Sequence, residues 1–189
     1  MSKRIRLRQW KVEDLKVFCD MGQDSEVMRY FPSLLSFEES DQLAQRIYTL
    51  IDHQGWGFWA VELMASNEFI GFVGLHRQEV SSGIPHTPFV EIGWRLSQSH
   101  WGKGYACEAA QQALKYAFEV LNCKQVYAFT TLNNRPSRCL MTKLGMRDLN
   151  QDFDHPKVSL PSLKRHCLYM IERQDYLLGQ LEVNNTETK

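Results

Sequence analysis

Apolar positions along this chain change period several times, and each change marks an element. Ile5 and Leu7 alternate with Arg4, Arg6 and Arg8, the period of a short strand. Residues 11–20 and 24–30 repeat at helical spacing, and Gly22 between them reads as a break. Ser36-Phe37-Glu38-Glu39 is a capping box: the Ser36 hydroxyl accepts the third helical N–H while Glu39 reaches back. The helix it opens places Leu43, Ile47, Leu50 and Ile51 on one face and ends near Gly55. Strand-like runs follow at 57–63, 69–75 and 89–96, the first two joined as a hairpin by Ala65-Ser66-Asn67-Glu68. Residues 81–88, with a glycine and two prolines, form a loop. From Gly104 to about Leu121, Ala106, Ala109, Ala110, Ala113, Leu114, Ala117, Phe118 and Leu121 make one helical stripe. A buried-type strand at 126–130 leads to a helix at 136–144, which has Pro136 at its start and Gly145 past its end. A weak strand near Met146 and a clearer one at 167–171 complete the pattern.

This order of elements predicts an α/β domain over residues 1–175, followed by a polar, partly disordered tail at 176–189. At 189 residues with 43% hydrophobic and 12% aromatic content, the chain can build a sizeable core and is not of disordered composition. Its 22 basic and 22 acidic residues cancel, so no overall field draws it to nucleic acid or to a membrane surface. No apolar run approaches the roughly 20 residues of a membrane span, and the basic start is not followed by a signal-type apolar stretch. The five cysteines are odd in number and contain no Cys-x-x-Cys pair, which predicts reduced thiols and a cytoplasmic setting. Asp152-Phe153-Asp154-His155 lacks further ligands at metal spacing and reads as a turn, so no metal is expected.

Candidate chemistry concentrates where the strand Val90-Glu91-Ile92-Gly93-Trp94-Arg95-Leu96 leads into Trp101-Gly102-Lys103-Gly104-Tyr105-Ala106. Glycines at a strand-to-helix turn let backbone N–H groups close on an anion, with the positive end of the helix dipole behind them. Lys103 adds a mobile charge, although the same turn also serves simply to open a helix. A P-loop is excluded because Gly104, not Ser or Thr, follows Lys103. A dinucleotide fingerprint is excluded because Cys107 stands at the third glycine position and no acid lies about 20 residues on.

Three motifs together resemble the GNAT superfamily of acyl-CoA-dependent N-acetyltransferases, most closely the Rim-type ribosomal-protein N-terminal acetyltransferases. They are Glu91-Ile92-Gly93-Trp94 with Trp101–Ala109, Asn134-Arg135-Pro136-Ser137-Arg138 running on to Lys143-Leu144-Gly145-Met146, and Arg6-Leu7-Arg8 with Glu13-Asp14. The likeness spans about residues 5–171. It implies a mixed central sheet of about six or seven strands, splayed between the fourth and fifth and flanked by about four helices.

The resemblance also implies an enzyme that moves an acetyl group from acetyl-CoA to a primary amine by direct attack in a ternary complex. The acceptor is a protein N-terminal α-amine or a small molecule, and the enzyme is a monomer or homodimer. Backbone groups of Trp94, Arg95 and Leu96, the loop Trp101, Gly102, Lys103, Gly104, Tyr105 and Ala106, and Asn134 would hold the cofactor. Glu91 is the candidate base and Ser137 the candidate acid, while Tyr30, Phe31 and Trp56 are candidates to wall the acceptor site. Ser99 stands where the family's phosphate motif begins with Gln or Arg, and Met141 where many members place an acidic tyrosine. Those departures keep a non-catalytic acyl-CoA-binding or sensing module as the alternative. An α-amine with a pKa of about 7.8 is neutral for roughly one molecule in seven at pH 7, a lysine for roughly one in 2500. Modest acid–base machinery therefore suits an α-amine.

Overall fold

The computed structural model describes residues 3–179. Its elements are β1 (Ile5–Arg8), α1 (Asp14–Gln23), α2 (Phe37–Gln54), β2 (Phe58–Leu63), β3 (Phe69–Gln78), β4 (Phe89–Leu96), α3 (Tyr105–Glu119), β5 (Gln125–Thr131), α4 (Arg135–Lys143), β6 (Arg147–Asp148), β7 (Phe153–Asp154), α5 (Pro161–Lys164) and β8 (Arg165–Glu172). The strands make a mixed α/β fold: β4 and β5 pair in parallel, whereas β1–β2, β2–β3, β5–β8, β6–β8 and β7–β8 are antiparallel. The residues pack as two compact units.

The first unit holds the residues up to His76 together with Ile92–Ala113. Its strand order is β1-β2-β3-β4, in register from Ile5↔Leu63 to Arg8↔Ala60 and from Phe58↔Gly74 onward. The core is aromatic: Trp10 meets Phe18 edge-on at 5.0 Å and Phe69 at 5.3 Å, and its indole N–H donates to the Phe58 carbonyl at 2.7 Å. A bulge between Val61 and Glu62 accompanies a charged cluster inside this unit. The Glu62 side chain is 0% exposed and is bonded by Arg6, by Arg8 and by Lys11, whose Nζ lies at 3.1 Å. Arg8 also grips Asp14 with two bonds of 2.6 and 2.7 Å, which accounts for the Arg-x-Arg and Glu-Asp pattern at the start of the chain.

The second unit holds Arg77–Glu91 and the residues from Leu114 onward. Here β4 pairs with β5 over two rungs, Val90↔Val126 and Glu91↔Tyr127, and β5 pairs with β8 from Gln125↔Glu172 to Thr131↔His166. The short parallel pairing agrees with the expected splay. Ile84, Phe89, Tyr127, Phe153, Leu168 and Met170 form the core. The alanine stripe of α3 is buried as its period requires, Ala109, Ala110 and Ala113 in the first unit and Leu114, Ala117 and Phe118 in the second.

Several expectations need correction. Helix α1 runs through Gly22 to Gln23, and residues 24–30 are turns rather than a second helix. Gly22 is there for packing: a Cβ on it would meet the Ser40 hydroxyl at 2.9 Å and the Leu35 Cβ at 3.2 Å. The capping box and the Gly55 cap of α2 form as expected, but the buried face is Ser40, Ala44, Ile47 and Ile51, and Leu50 is exposed. Strand β3 continues past Leu75 to Gln78, and β7 and α5 carry no periodic signal of their own. Tyr176 is buried on Phe118 at 4.9 Å, within helical residues 173–179. The expected disorder from residue 180 onward lies outside the described residues.

Candidate active site

In the first unit, β4 leads into a short 3-10 turn at Gln98–His100 and then into α3. Gly102 and Gly104 adopt φ of +72° and +82°, the left-handed region where a side chain is strained. A Cβ at Gly102 would meet nothing within 4 Å, so backbone conformation rather than crowding requires glycine there. Gly102, Lys103 and Gly104 are exposed, at the start of a 15-residue helix whose first-turn amides have no acceptor within the helix.

The loop is braced by residues that the sequence pattern did not single out. Arg4 donates from Nη1 to the Lys103 carbonyl at 3.0 Å and from Nε to Glu108 at 2.9 Å, and it lies 4.9 Å over the Tyr105 ring. Glu108 also accepts the Arg4 amide at 2.7 Å. Its negative charge in the first turn of α3 is thereby compensated and does not oppose an anion at the loop. Ser97 and Ser99 hydroxyls lie 2.7 and 3.0 Å from His100 Nδ1, so Ser99 orders the turn where the family motif has a longer polar side chain. Open left-handed glycines, the N–H groups of the first helical turn, Lys103 and Arg4 fit the pyrophosphate of acetyl-CoA. Trp101 is 46% exposed, Tyr105 and Ala106 are half-buried, and all three flank the loop.

Along β4 the main chain alternates its hydrogen-bonding direction. A Cβ at Gly71 would stand 2.3 Å from the Arg95 carbonyl oxygen, so the backbone at Arg95 lies against β3. The alternation leaves the groups of Trp94 and Leu96 on the opposite edge. The Leu96 carbonyl already accepts the Trp101 indole N–H at 2.8 Å, which narrows the expected cofactor-facing backbone to Trp94 and the Leu96 amide. The Arg95 side chain lies 4.1 Å from the Phe31 ring and 5.4 Å from the Phe72 ring. Its Nε and Nη1 are buried without a hydrogen-bond partner, and burial lowers its pKa to about 10. Two residues expected at different places, Arg95 and Phe31, are thus brought together. Tyr30 is half-buried beside Arg29, and Trp56 is half-buried before β2, its carbonyl accepting from Gln54.

In the second unit, Glu91 sits on β4 and accepts a 2.6 Å bond from Gln78 at the end of β3. Burial pushes its carboxyl up to about 7, while the Gln78 bond works weakly the other way. A strand that ended at Leu75 would not have delivered Gln78, so this partner was not visible in the sequence. Asn134 is the N-cap of α4: its side-chain oxygen accepts the Ser137 amide at 3.2 Å and its Nδ2 donates to Thr130 at 2.9 Å. Helix α4 is therefore hung on β5, the strand that carries Tyr127 opposite Glu91. Ser137 is half-buried one turn into the helix, and Met141 is 1% exposed in the core. The Asp152–His155 run is engaged in packing and pairing, with His155 beside His166 at 4.9 Å and Asp154 against Lys164 and Arg165.

A sheet with a short parallel β4–β5 pairing, a glycine anion loop opening α3 and a half-buried strand carboxylate define a class. The model of the acetyltransferase (GNAT) domain matches residues 4–147, and the chain belongs to that family. It is an acyl-CoA-dependent N-acetyltransferase. An uncharacterized N-acetyltransferase p20 of Bacillus licheniformis is 29% identical over 161 residues, covering 82% of this chain and 87% of that protein. A GNAT-family acetyltransferase of Bacillus anthracis superposes with a TM-score of 0.75 at 24% identity, over 92% of this chain and 98% of that one. Spermidine N-acetyltransferase from Vibrio cholerae, solved with CoA and spermine, gives a TM-score of 0.72 at 20% identity over 93% and 99% of the two chains. Among the described residues, no helix is long and apolar enough to cross a membrane.

Proposed function

We propose that the protein transfers the acetyl group of acetyl-CoA directly to a primary amine, a protein N-terminal α-amine or an amine of a small molecule, with Glu91 as base and Ser137 as acid. The observation that carries this is the Glu91 carboxyl, which burial holds at about 7 and Gln78 holds in position. A base works best when its pKa lies near the working pH, because it is then both ionised and basic enough to take a proton. When bound, acetyl-CoA supplies an activated thioester carbonyl. The chain's own groups do the rest. Glu91 takes the proton that an ammonium acceptor must lose, directly or through a water. Backbone N–H groups of β4 stabilise the developing oxyanion. The Ser137 hydroxyl delivers a proton to the departing sulfur and takes up the one that the attacking nitrogen sheds as the amide forms, since the buried Met141 has none to give. The Rim-type likeness agrees with an α-amine, whose own pKa asks little of the base.

Calorimetric titration with acetyl-CoA, followed by CoA release over an amine panel, tests the reading; a wild type that binds no acetyl-CoA removes it. One variant probes the loop. Gly104→Val forces a β-branched side chain into φ +82° with its Cβ 3.3 Å from Arg4, and we expect acetyl-CoA affinity to fall about 10-fold or more. The KM for the amine at saturating acetyl-CoA should move much less. An unchanged acetyl-CoA Kd would show that the loop does not hold the cofactor.

A further inference from the structure

Building on the acetyl-transfer reading, we infer that the acceptor amine also carries a carboxylate, which docks on the Arg95 guanidinium between the rings of Phe31 and Phe72. A guanidinium is an obligate donor, and burying its N–H groups without acceptors costs far more than it returns. Arg95 has two such groups, Nε and Nη1. The rings 4.1 and 5.4 Å away attract the cation but offer no strong acceptor.

Four acids of the same unit are committed elsewhere. Glu62 is held by Arg6, Arg8 and Lys11, Asp14 by Arg8, Glu108 by Arg4, and Glu26 by Arg29. None of these four is left to serve Arg95, and the carboxylate of the ligand supplies the counter-charge. Phe31 is 39% exposed and lies on the connection between α1 and α2, so this surface ring is what a ligand displaces to reach the buried donors. The third nitrogen, Nη2, shares an edge with either orphaned donor, and each edge forms the fork that a carboxylate matches.

A single guanidinium in an aromatic setting suits a monoanion. A phosphate ester would ask for a second cation, and Arg29, the arginine on the connection between α1 and α2, is already paired. Arg95 directly follows Trp94, whose backbone lies on the edge expected to face the cofactor, which fits one molecule bearing both an amine and a carboxylate. An amino acid or a short peptide has this chemistry. A polyamine does not, because its ammonium groups would meet an uncompensated positive charge.

The test uses product-like probes that need no acetyl transfer: N-acetylglycine and N-acetylglycinamide, titrated by NMR into wild type, Arg95→Met and Arg95→Lys. Wild type should favour the carboxylate by about 10-fold or more, the increment of one charge-assisted bond. The ratio should fall to within about twofold in Arg95→Met and recover in part in Arg95→Lys. Because Arg95→Met removes an unmet buried charge, its Tm should rise by about 5 °C, which separates lost binding from lost folding. Equal binding of the two probes to wild type would overturn the proposal. So would loss of acetyl-CoA binding in Arg95→Met, or a wild-type kcat/KM higher for spermidine than for any amino acid. A wild type that prefers N-acetylglycine yet binds no acetyl-CoA would remove the acetyl-transfer reading while upholding the carboxylate seat.

Discussion

Glu91→Gln is expected to lower kcat by about 10²- to 10⁴-fold, the usual worth of a positioned general base. The amide keeps the shape of the carboxyl and its contact with Gln78, so acetyl-CoA affinity should change little. In wild type, kcat should rise with pH through a limb near 7, where burial has pushed the Glu91 carboxyl, and the variant should lack that limb. The same shift has a consequence for stability. A carboxyl raised on folding favours the native state fully below its unfolded pKa, about 4.3. That contribution is lost as pH rises through about 7, because the folded protein must then hold a desolvated charge. Thermal melts should therefore show Glu91→Gln gaining on wild type between pH 4 and pH 8. An unchanged kcat–pH profile in the variant would assign the base elsewhere.

Glu62→Ala should be the most damaging single change to stability, costing about 3–5 kcal/mol and roughly 10 °C or more in Tm. Its carboxylate is wholly buried, and removing it leaves a void at the bulge, Asp14 as the remaining anion of the half-buried Arg8, and no shared partner for Arg6 and Lys11. Burial alone would raise the pKa of Glu62, but the bonds from Arg8, Lys11 and Arg6 outweigh it and bring the value down to about 2. A carboxyl depressed in this way contributes fully above the unfolded value of about 4.3 and loses that contribution as pH falls toward 2. Acid titration of wild type should show this loss, and Glu62→Ala should show less of it. Melting temperatures at pH 7 and an acid-unfolding curve decide the matter; a variant within 2 °C of wild type would mean that the cluster's cations find water instead.

Much of the architecture was visible as local pattern. The capping box at Ser36, the glycine caps and the alanine stripe of α3 follow rules that act over one or two turns, and each formed where its residues stand. Gly22 shows where such rules fail. A glycine between two apolar runs reads as a break, yet here it is the point where α1 meets Leu35 and Ser40, a contact no local window contains. Asn134 divides in the same way: its place at the start of α4 was legible, whereas its second bond to Thr130 depends on where β5 ends.

The site divides along the same line. By itself the sequence determined the strand, the glycine loop and the helix that follow one another from Glu91 to Ala109, because their chemistry depends on neighbours in the chain. Only the tertiary structure decided how those residues are set. It supplied Gln78 to Glu91, Arg4 to Glu108 and the anion loop, and Phe31 to Arg95. Each of these pairings joins residues far apart in sequence. Burial is a property of that assembly: it carries Glu91 to about 7 and leaves two Arg95 donors unmet, and neither can be read from residue type.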